Sequence, residues 1–484
     1  MNKNIVSDCQ SLTDSFIVEF LVGLSNEFIT DTKYSTYTLL HHIPVVYLKM
    51  RIKILYLFNI FIKNVLSDVD LSLPTGTSML ADAVRSIKSY IVYNTKVKLI
   101  ITVLEETYRT DETQTIQLDS VKASTCSTYK DTIFYQAFRQ LYKNASLSFR
   151  KLEHARVWAV TYIGMHSSDS GGPYRDSITA MCADICSTRL PLFILCPNGR
   201  TNSGLNRDRW IPNVFPPQTT IPNKIKNIYI FIGQLMGMAI RTKNLLNLQF
   251  PSLVWKPLVR QSITVEDIEA IDIQSFATIN ELEKRVKQTK TMNTSVTVDS
   301  EEKYTDNIDF LFDSIMSELK FDIVGSNMKT YELVPKGSII PITVANHKEY
   351  CLKYREYHLQ EFSRQVDYIR QGLYSVVPWP MLALYTPFEL EEAVCGKPVI
   401  DIDLLKQQTE YKYENDHHNA PYIKRFWTVL KDKFDEEQKR LFLIFVWGRS
   451  TLPSRAEDFE RKFSIQRLDA ANDVDKMLPS TYDS

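Results

Sequence analysis

The segment KNIYIFIGQLMGMAIRT, residues 226–242, predicts a helix that carries a stripe of glycine. Gly233 and Gly237 are four residues apart, and each costs roughly 1 kcal/mol relative to alanine inside a helix. Glycines at this spacing lie on one helix face and let a neighbouring element approach closely. We therefore interpret the pair as a packing contact, with ligand contact as the minor alternative.

Upstream of this helix, the sequence predicts a strand, a glycine turn and a second helix. The strand is VWAVTYIG, residues 157–164, and the helix is PYRDSITAMCADICS, residues 173–187, which opens on a proline as helices favour. Gly171 and Gly172 lie between them. They lack the Lys-Ser/Thr ending of a Walker loop and the spacing of GxGxxG. We interpret them as a strand-to-helix turn rather than a nucleotide site.

Residues 1–140 are predicted to be helical. The apolar side chains of Ile54, Phe58, Phe61 and Val65 recur at helical spacing. A run rich in β-branched residues, KVKLIITVLEETY at 96–108, fits either a buried strand or a helix.

Downstream of the glycine stripe, two more helices and a hinge are predicted. One long amphipathic helix, followed by a turn at Gly372, is indicated by KEYCLKYREYHLQEFSRQVDYIRQGLYSVV at 348–377. A helix ended by Gly396 is indicated by FELEEAVCG at 388–396. The polar segment KYENDHHNAPY, residues 412–422, is the best candidate for a hinge.

The composition is that of an ordinary globular protein with enough apolar residues for a sizeable core. Of 484 residues, 44% are hydrophobic, and 57 Lys and Arg balance 57 Asp and Glu. Because the net charge is zero, no overall basic field attracts nucleic acid or an anionic membrane, and proteins are the expected partners. Composition and pattern alone predict a soluble α+β protein that is mainly α.

The cysteines and the apolar stretches favour a cytoplasmic location. Seven scattered cysteines form no disulfide framework, which is typical of a reducing compartment. The amino terminus is polar and opens no signal peptide. The most apolar long stretch, residues 51–65, contains Lys53 and Lys63 and is shorter than a membrane span of about 20 residues. We therefore expect no membrane span.

Candidate metal ligands are weak. Cys182 and Cys186 share one face of a predicted helix, with His166 and Cys196 nearby. Their spacing matches no common zinc pattern, and free cysteines are usually small buried hydrophobes. No pattern nominates a Ser/His/Asp or Cys/His/Asn set. We expect neither a metal nor a cofactor.

Six segments occur in the order and with the residue patterns of HECT-type ubiquitin ligases. The segment YELVPKGSIIPITVANHKEYCLKY matches the family through Glu332, Leu333, Pro335, Gly337, Val344, Asn346, Glu349 and Tyr350. The other five segments are residues 157–185, 228–258, 262–272, 371–396 and 425–453. The variant CPNGRTNSGLNRDRW, residues 196–210, is most similar to the large HERC-type members. The chain is therefore identified as a member of this family over roughly residues 140–484.

The resemblance implies a bilobal HECT domain preceded by a helical region. The helical amino-terminal region is expected at 1–140 and the large lobe at 141–421. Part of the large lobe, about 245–345, is expected to dock a ubiquitin-conjugating enzyme. Residues 422–484 are expected to form an incomplete carboxy-terminal lobe.

The resemblance places Ser484 at the position of the family's thioester cysteine. Leu478, Pro479 and Tyr482 match the motif that leads to it, and no cysteine follows Cys395. A serine hydroxyl needs an adjacent base and would form a stable ester, whereas the family uses a labile thioester on a low-pKa thiol. Ser484 is therefore not expected to function as the catalytic residue, and Ser484→Cys alone is expected to restore little activity without a completed lobe.

The resemblance implies a ubiquitin-protein transferase. Such a ligase passes ubiquitin from a conjugating enzyme through its own cysteine to substrate lysines, so the expected partners are the conjugating enzyme, ubiquitin and unknown substrates. The chain as given is predicted to be inactive. The alternative is a non-catalytic adaptor that binds a conjugating enzyme or substrate. A helical scaffold with no link to ubiquitin is the weaker third possibility.

Overall fold

The computed structural model describes most of the chain between residues 41 and 466. The described residues are 41–109, 112–125, 128–164, 172–216, 219–277, 279–281, 283–284, 319–343, 345–397, 400–412, 420–447, 451–453, 456, 459 and 462–466. Helices dominate and all four sheets found in these ranges have two strands. The predicted class, α+β and mainly α, is confirmed.

The α-helices for which both ends are defined are numbered in chain order. They are α1 Val45–Val65, α2 Met79–Ile87, α3 Tyr93–Glu106, α4 Ser120–Ser124, α5 Ile133–Leu141, α6 Ala145–Ser148, α7 Gly172–Ile185, α8 Pro197–Thr201, α9 Asn223–Thr242, α10 Ser252–Leu258, α11 Val265–Glu269, α12 His347–Gln360, α13 Ser363–Val376, α14 Trp379–Leu382, α15 Pro387–Cys395, α16 Ile402–Gln407, α17 Pro421–Thr428 and α18 Glu436–Trp447.

The strands pair two by two. They are β1 Gln114–Leu118, β2 Trp158–Tyr162, β3 Phe193–Leu195, β4 Trp210–Pro212, β5 Asp322–Val324, β6 Thr330–Glu332, β7 Thr409–Lys412 and β8 Phe463–Gln466. The pairs β1–β2 and β7–β8 are parallel, and β3–β4 and β5–β6 are antiparallel. The predicted strand at 157–164 is therefore confirmed as β2.

The glycine stripe of α9 packs against α13. A methyl group placed on Gly233 would lie 1.8 Å from the carbonyl oxygen of Ile369, and one on Gly372 would lie 1.8 Å from that of Ile230. Gly237 is close to the same helix. Since the two backbones touch where side chains are missing, the interpretation of the stripe as a packing contact is confirmed.

The prediction of one long helix over 348–377 is wrong. The chain forms α12 and α13 with a break at Glu361 and Phe362, and Gly372 lies inside α13 rather than at a turn. Phe362 is buried and the carboxylate of Glu361 turns inward to Ser326, so tertiary contacts interrupt a helical pattern that continues through the sequence.

The ambiguous segment 96–108 is mostly the helix α3. Its buried residues are Lys96, Val97 and Ile100, and the β-branched run does not form a strand. The helix α15 is confirmed as predicted, because a capping box between Thr386 and Glu389 opens it and Gly396 follows its end at φ 80°.

Four hydrophobic clusters organise the described residues. The principal core surrounds α9 and α13, and its largest fully buried side chains include those of Trp158, Trp255, Tyr174, Tyr229 and Phe231. A second cluster lies under β5, β6 and α12. A third joins residues from Ile400 to Phe463, and a fourth lies between α1, α2 and Leu384.

The helix α1 is confirmed, but its predicted apolar face is divided, because Phe58 and Val65 pack against the fourth cluster while Ile54 and Phe61 point outward. Ile54 and Phe61 are 61% and 68% exposed, while Leu48 and Ile62 are buried. Apolar side chains surround this helix, so periodicity alone did not identify the buried face. None of the helices in the described ranges is both long and apolar enough to cross a membrane.

Candidate functional site

The predicted catalytic position, Ser484, lies outside the described residues. Residues 413–419 of the predicted hinge and Gly171 of the predicted turn lie outside them as well. Gly172, predicted as part of the turn, is instead the first residue of α7, one residue before the predicted start of that helix at Pro173. Three features of the described residues bear on function. They are the five cysteines, the hairpin β5–β6, and the buried glutamates Glu361 and Glu389, which join neighbouring elements.

The five described cysteines are free thiols held away from solvent. Cys182, Cys196, Cys351 and Cys395 are buried, and Cys186 is half-buried. Burial raises the pKa of all five, to about 12 for Cys186 and about 11 for Cys351. A thiol with such a pKa supplies almost no thiolate near neutral pH, so these sulfurs are poor nucleophiles.

The possible zinc ligands do not assemble. Cys182 lies on α7 and Cys186 directly follows the end of that helix, whereas the Cys196 thiol donates to the carbonyl oxygen of Asn206 at 3.1 Å. His166 lies outside the described residues. Within the part of the chain that the structure describes, no three His, Cys, Asp or Glu side chains lie close enough to hold a metal ion.

The hairpin β5–β6 and the first half of α12 form a small unit with its own core. Phe321, Ile323 and Ile342 pack there against Tyr350 and Tyr354. Within the turn after β6, a methyl group on Gly337 would lie 2.1 Å from the carbonyl oxygen of Phe321. The unit is therefore held by side chains from the hairpin and from α12 together.

The same turn is fixed by the exposed carboxylate of Glu332. It accepts hydrogen bonds from the Ser338 hydroxyl and from the backbone N–H groups of Ser338 and Lys336. These hydrogen bonds, from the Ser338 side chain first, lower the pKa of Glu332. The turn therefore presents its apolar side chains in a defined position.

The small unit exposes apolar side chains that its own core does not use. Met328 and Ile339 are each 72% exposed, and Val324 and Leu352 are more than half exposed. We call these four residues the docking face. Apolar side chains left exposed on a small unit are a feature of many protein interaction sites.

A buried glutamate joins this unit to the principal core. Glu361, between α12 and α13, accepts 2.8 Å hydrogen bonds from the backbone N–H and the hydroxyl of Ser326. The Nδ1 atom of His358 lies 3.4 Å from the same carboxylate. A methyl group on Gly325 would lie 2.9 Å from Glu361 Oε1, so the hairpin approaches the carboxylate as closely as glycine allows.

A second buried glutamate joins α3 to α15. Lys96 Nζ lies 2.8 and 3.0 Å from the two carboxylate oxygens of Glu389, and both side chains are at most 1% exposed. Burial lowers the pKa of Lys96, and the carboxylate opposes that shift. Nearby, burial lowers the pKa of Lys88 to about 8, while its Nζ donates to the carbonyl oxygen of Val259 at 3.2 Å.

Sequence reasoning did not identify either glutamate. The signal for Glu389 was the capping box in TPFE, and the signal for Lys96 was a lysine at the start of an apolar helical run. Neither signal indicates that Lys96 and Glu389 form a pair, because the two residues are separated by 293 positions in the sequence.

The region after residue 400 forms the third cluster. Parallel pairing of β7 with β8 brings Tyr411 opposite Ile465, and Ile402 and Leu405 pack with Trp427 and other residues of α17 and α18. Leu443 of α18 is fully buried, whereas Leu441 and Phe445 are more than half exposed. The apolar run that ends α18 is thus partly covered.

Comparison with known proteins gives the family. Residues 179–482 match the HECT domain, described as HECT-domain (ubiquitin-transferase), which is more than half of the chain. The chain belongs to the HECT family of ubiquitin transferases.

The similar relatives are large ligases. The E3 ubiquitin-protein ligase HERC2 of Mus musculus is 36% identical over 331 residues, which cover 68% of this chain and 6% of that protein. The probable E3 ubiquitin-protein ligase HECTD4 of Homo sapiens is 26% identical over 433 residues, covering 85% of this chain and 10% of the relative. The E3 ubiquitin-protein ligase TOM1-like of Neurospora crassa is 26% identical over 359 residues, covering 73% and 8%. The chain therefore spans a tenth or less of these relatives.

Proposed function

We propose that the chain acts in ubiquitin transfer as a HECT-type ubiquitin-protein ligase whose large lobe docks a ubiquitin-conjugating enzyme. The observation that carries the proposal is the docking face, which lies within or beside the segment expected to dock that enzyme, about residues 245–345. Met328 and Ile339 are exposed there on a unit that has its own core. Ubiquitin and substrate proteins are the other expected partners.

Binding of conjugating enzymes tests this proposal. Ile339→Asp places a charge in the docking face, so we expect at least tenfold weaker binding in interferometry against a panel of ubiquitin-charged conjugating enzymes. Met79→Asp is the matched control, because Met79 is 92% exposed and lies on α2. No binding by the native chain across the panel, or equal binding by Ile339→Asp, would contradict the proposal.

A second candidate function, a non-catalytic adaptor, is favoured by the residue at position 484. We propose that this chain forms no ubiquitin thioester. The proposal is supported by the resemblance of Leu478, Pro479 and Tyr482 to the family motif, by which Ser484 would stand where a thiol is needed. It is also supported by burial, which raises the pKa of the five described thiols away from the range of a good nucleophile.

A transfer assay separates ligase from adaptor. A conjugating enzyme charged with ubiquitin is mixed with the native chain, with a HECT ligase that keeps its cysteine as the positive control. We expect no adduct on the native chain. A reductant-sensitive adduct would show that one of its cysteines is catalytic. An adduct that resists reductant but is cleaved by alkali would show an ester, and each result would overturn the adaptor.

The bilobal arrangement is part of the proposal, with its ranges 1–140, 141–421 and 422–484. Two contacts cross the borders between these ranges. The strand β1 pairs with β2 across the border at residue 140, and Ile402 shares a core with Trp427 across the border at residue 421. Limited proteolysis tests the hinge. A first cut within 413–419 supports it, and a first cut just before Ile400 would place the start of the small lobe there.

A cytoplasmic location is also proposed. It is supported by the five described cysteines, which are free thiols rather than disulfides.

A further inference from the structure

The helix α1 is fixed on the protein by its inner face. Asn59 is buried, and its amide nitrogen donates to the carbonyl oxygens of Leu55 and Tyr90 at 2.9 and 3.0 Å. Its amide oxygen accepts from the backbone N–H of Val92 at 2.8 Å. Ile62 packs beside it in the fourth cluster. Since these bonds fix the rotation of α1, its opposite face cannot turn inward.

That opposite face is a continuous apolar seam. Tyr47, Met50, Ile54, Leu57 and Phe61 follow one another at spacings of three, four, three and four residues, and each is more than half exposed. We call these five residues the outer seam. The spacing is that of the a and d positions of a heptad, at which one helix receives another.

The charge of α1 indicates what kind of helix fits the outer seam. The helix contains Lys49, Arg51, Lys53 and Lys63 and no acidic residue. Arg51 and Lys53 are exposed and flank the seam. A second copy of α1 would bring a further four positive charges to the same contact, whereas an acidic amphipathic helix would be attracted.

The chain contains such a segment. Residues 14–31, DSFIVEFLVGLSNEFITD, hold four acidic residues and no basic residue, and they lie outside the described residues. The apolar side chains of Ile17, Leu21, Leu24 and Phe28 follow at spacings of four, three and four. Thirteen residues, 32–44, separate the segment from the start of α1, enough for an antiparallel return.

We propose that residues 14–31 form a helix that lies antiparallel to α1 and covers the outer seam. The heptad positions then place Phe28 beside Met50, Leu24 beside Ile54, Leu21 beside Leu57 and Ile17 beside Phe61. In the same alignment Glu27 lies beside Lys53. Gly23 costs about 1 kcal/mol inside a helix, so the helical state of the segment depends on the seam.

Hydrogen exchange of the full chain tests the proposal. In the native chain the amides of residues 14–31 are expected to exchange at least tenfold more slowly than in an unstructured peptide of the same sequence. Ile54→Asp with Leu57→Asp removes this protection, while Met79→Asp on α2 leaves it unchanged. Because Ile54 and Leu57 are exposed on α1, protection of α9 should remain in all three chains and shows that the fold is intact.

A charge exchange tests the alignment. Glu27→Lys is expected to lower the protection of residues 14–31, and the added change Lys53→Glu is expected to restore it. Sedimentation measured in parallel should give the mass of a monomer for every variant. Unprotected residues 14–31 in the native chain, unchanged protection in the seam variant, or failure of Lys53→Glu to restore it would overturn the proposal. A native dimer that dissociates on seam substitution would instead identify a second copy as the occupant.

Discussion

The two buried glutamates show two ways of attaching one part of a protein to another. Glu389 meets the cation of Lys96 and ties α3 to α15. Glu361 accepts its 2.8 Å hydrogen bonds from the neutral donors of Ser326, with His358 Nδ1 farther away at 3.4 Å, and ties the hairpin β5–β6 to the start of α13. A buried charge pair is strongly destabilised when one partner is removed, because the other charge remains in a poorly solvated place. Neutral donors leave no such charge behind, so the second joint is easier to open.

The largest effect is expected from breaking the charge pair. Lys96→Met leaves Glu389 buried without a cation and should lower the free energy of unfolding by about 3–5 kcal/mol, measured by urea denaturation. Adding Glu389→Gln removes the stranded charge and keeps an acceptor for the Thr386 N–H, so most of the loss should be recovered. Lys98→Met, an exposed change on α3, is the control. If the single and double variants are equally unstable, the pair does not act as a unit.

A smaller and local effect is expected at the neutral joint. Glu361→Ala leaves the Ser326 N–H and hydroxyl without their acceptor, at a cost of about 1–3 kcal/mol. Hydrogen exchange should accelerate in residues 319–343 while α9 and α13 keep their protection. Global destabilisation as large as that of Lys96→Met would show that the two joints do not differ in kind.

The smallest effect at neutral pH is expected from Lys88, beside the charge pair. Its pKa falls from 10.5 to about 8 on folding, so between these values the unfolded chain binds more protons and stability rises with pH. Lys88→Met should remove this rise, whose slope is at most about 1.4 kcal/mol per pH unit. Because Lys88 is partly exposed, Lys88→Met should raise the free energy of unfolding at pH 7 by only about 1 kcal/mol relative to the native chain.

Urea denaturation between pH 7 and 10.5 measures this difference, with Lys98→Met again as the control. If the free energy of unfolding of Lys88→Met rises with pH as steeply as that of the native chain, the pH dependence comes from other groups.

Local rules predicted much of the fold. The capping box and Gly396 define α15, and the glycine stripe of α9 predicted close contact with a neighbouring element without identifying it as α13. The break after α12 was missed, because helical periodicity runs on through Glu361 and only its tertiary partner Ser326 reveals the interruption. The buried face of α1 was missed for a related reason, since both faces are apolar.

The candidate site depended less on local rules. Ser484 was found only by resemblance, since no pattern of spacing singles out a serine. The docking face could not be read from the sequence, because exposed and buried apolar residues alternate within a few positions there. Met328 is exposed, for example, while Ile323 is buried.

The burial of the thiols has a practical consequence for labelling. A maleimide reaches Cys182 or Cys395 only when the principal core opens, so their rate of modification would time that opening. With Cys9 and Cys126 replaced by serine, a cysteine introduced at Ile339 should react far faster than the five described thiols. A fluorophore could then be attached at position 339 alone, and the slower modification of Cys182 and Cys395 would still report the opening of the principal core.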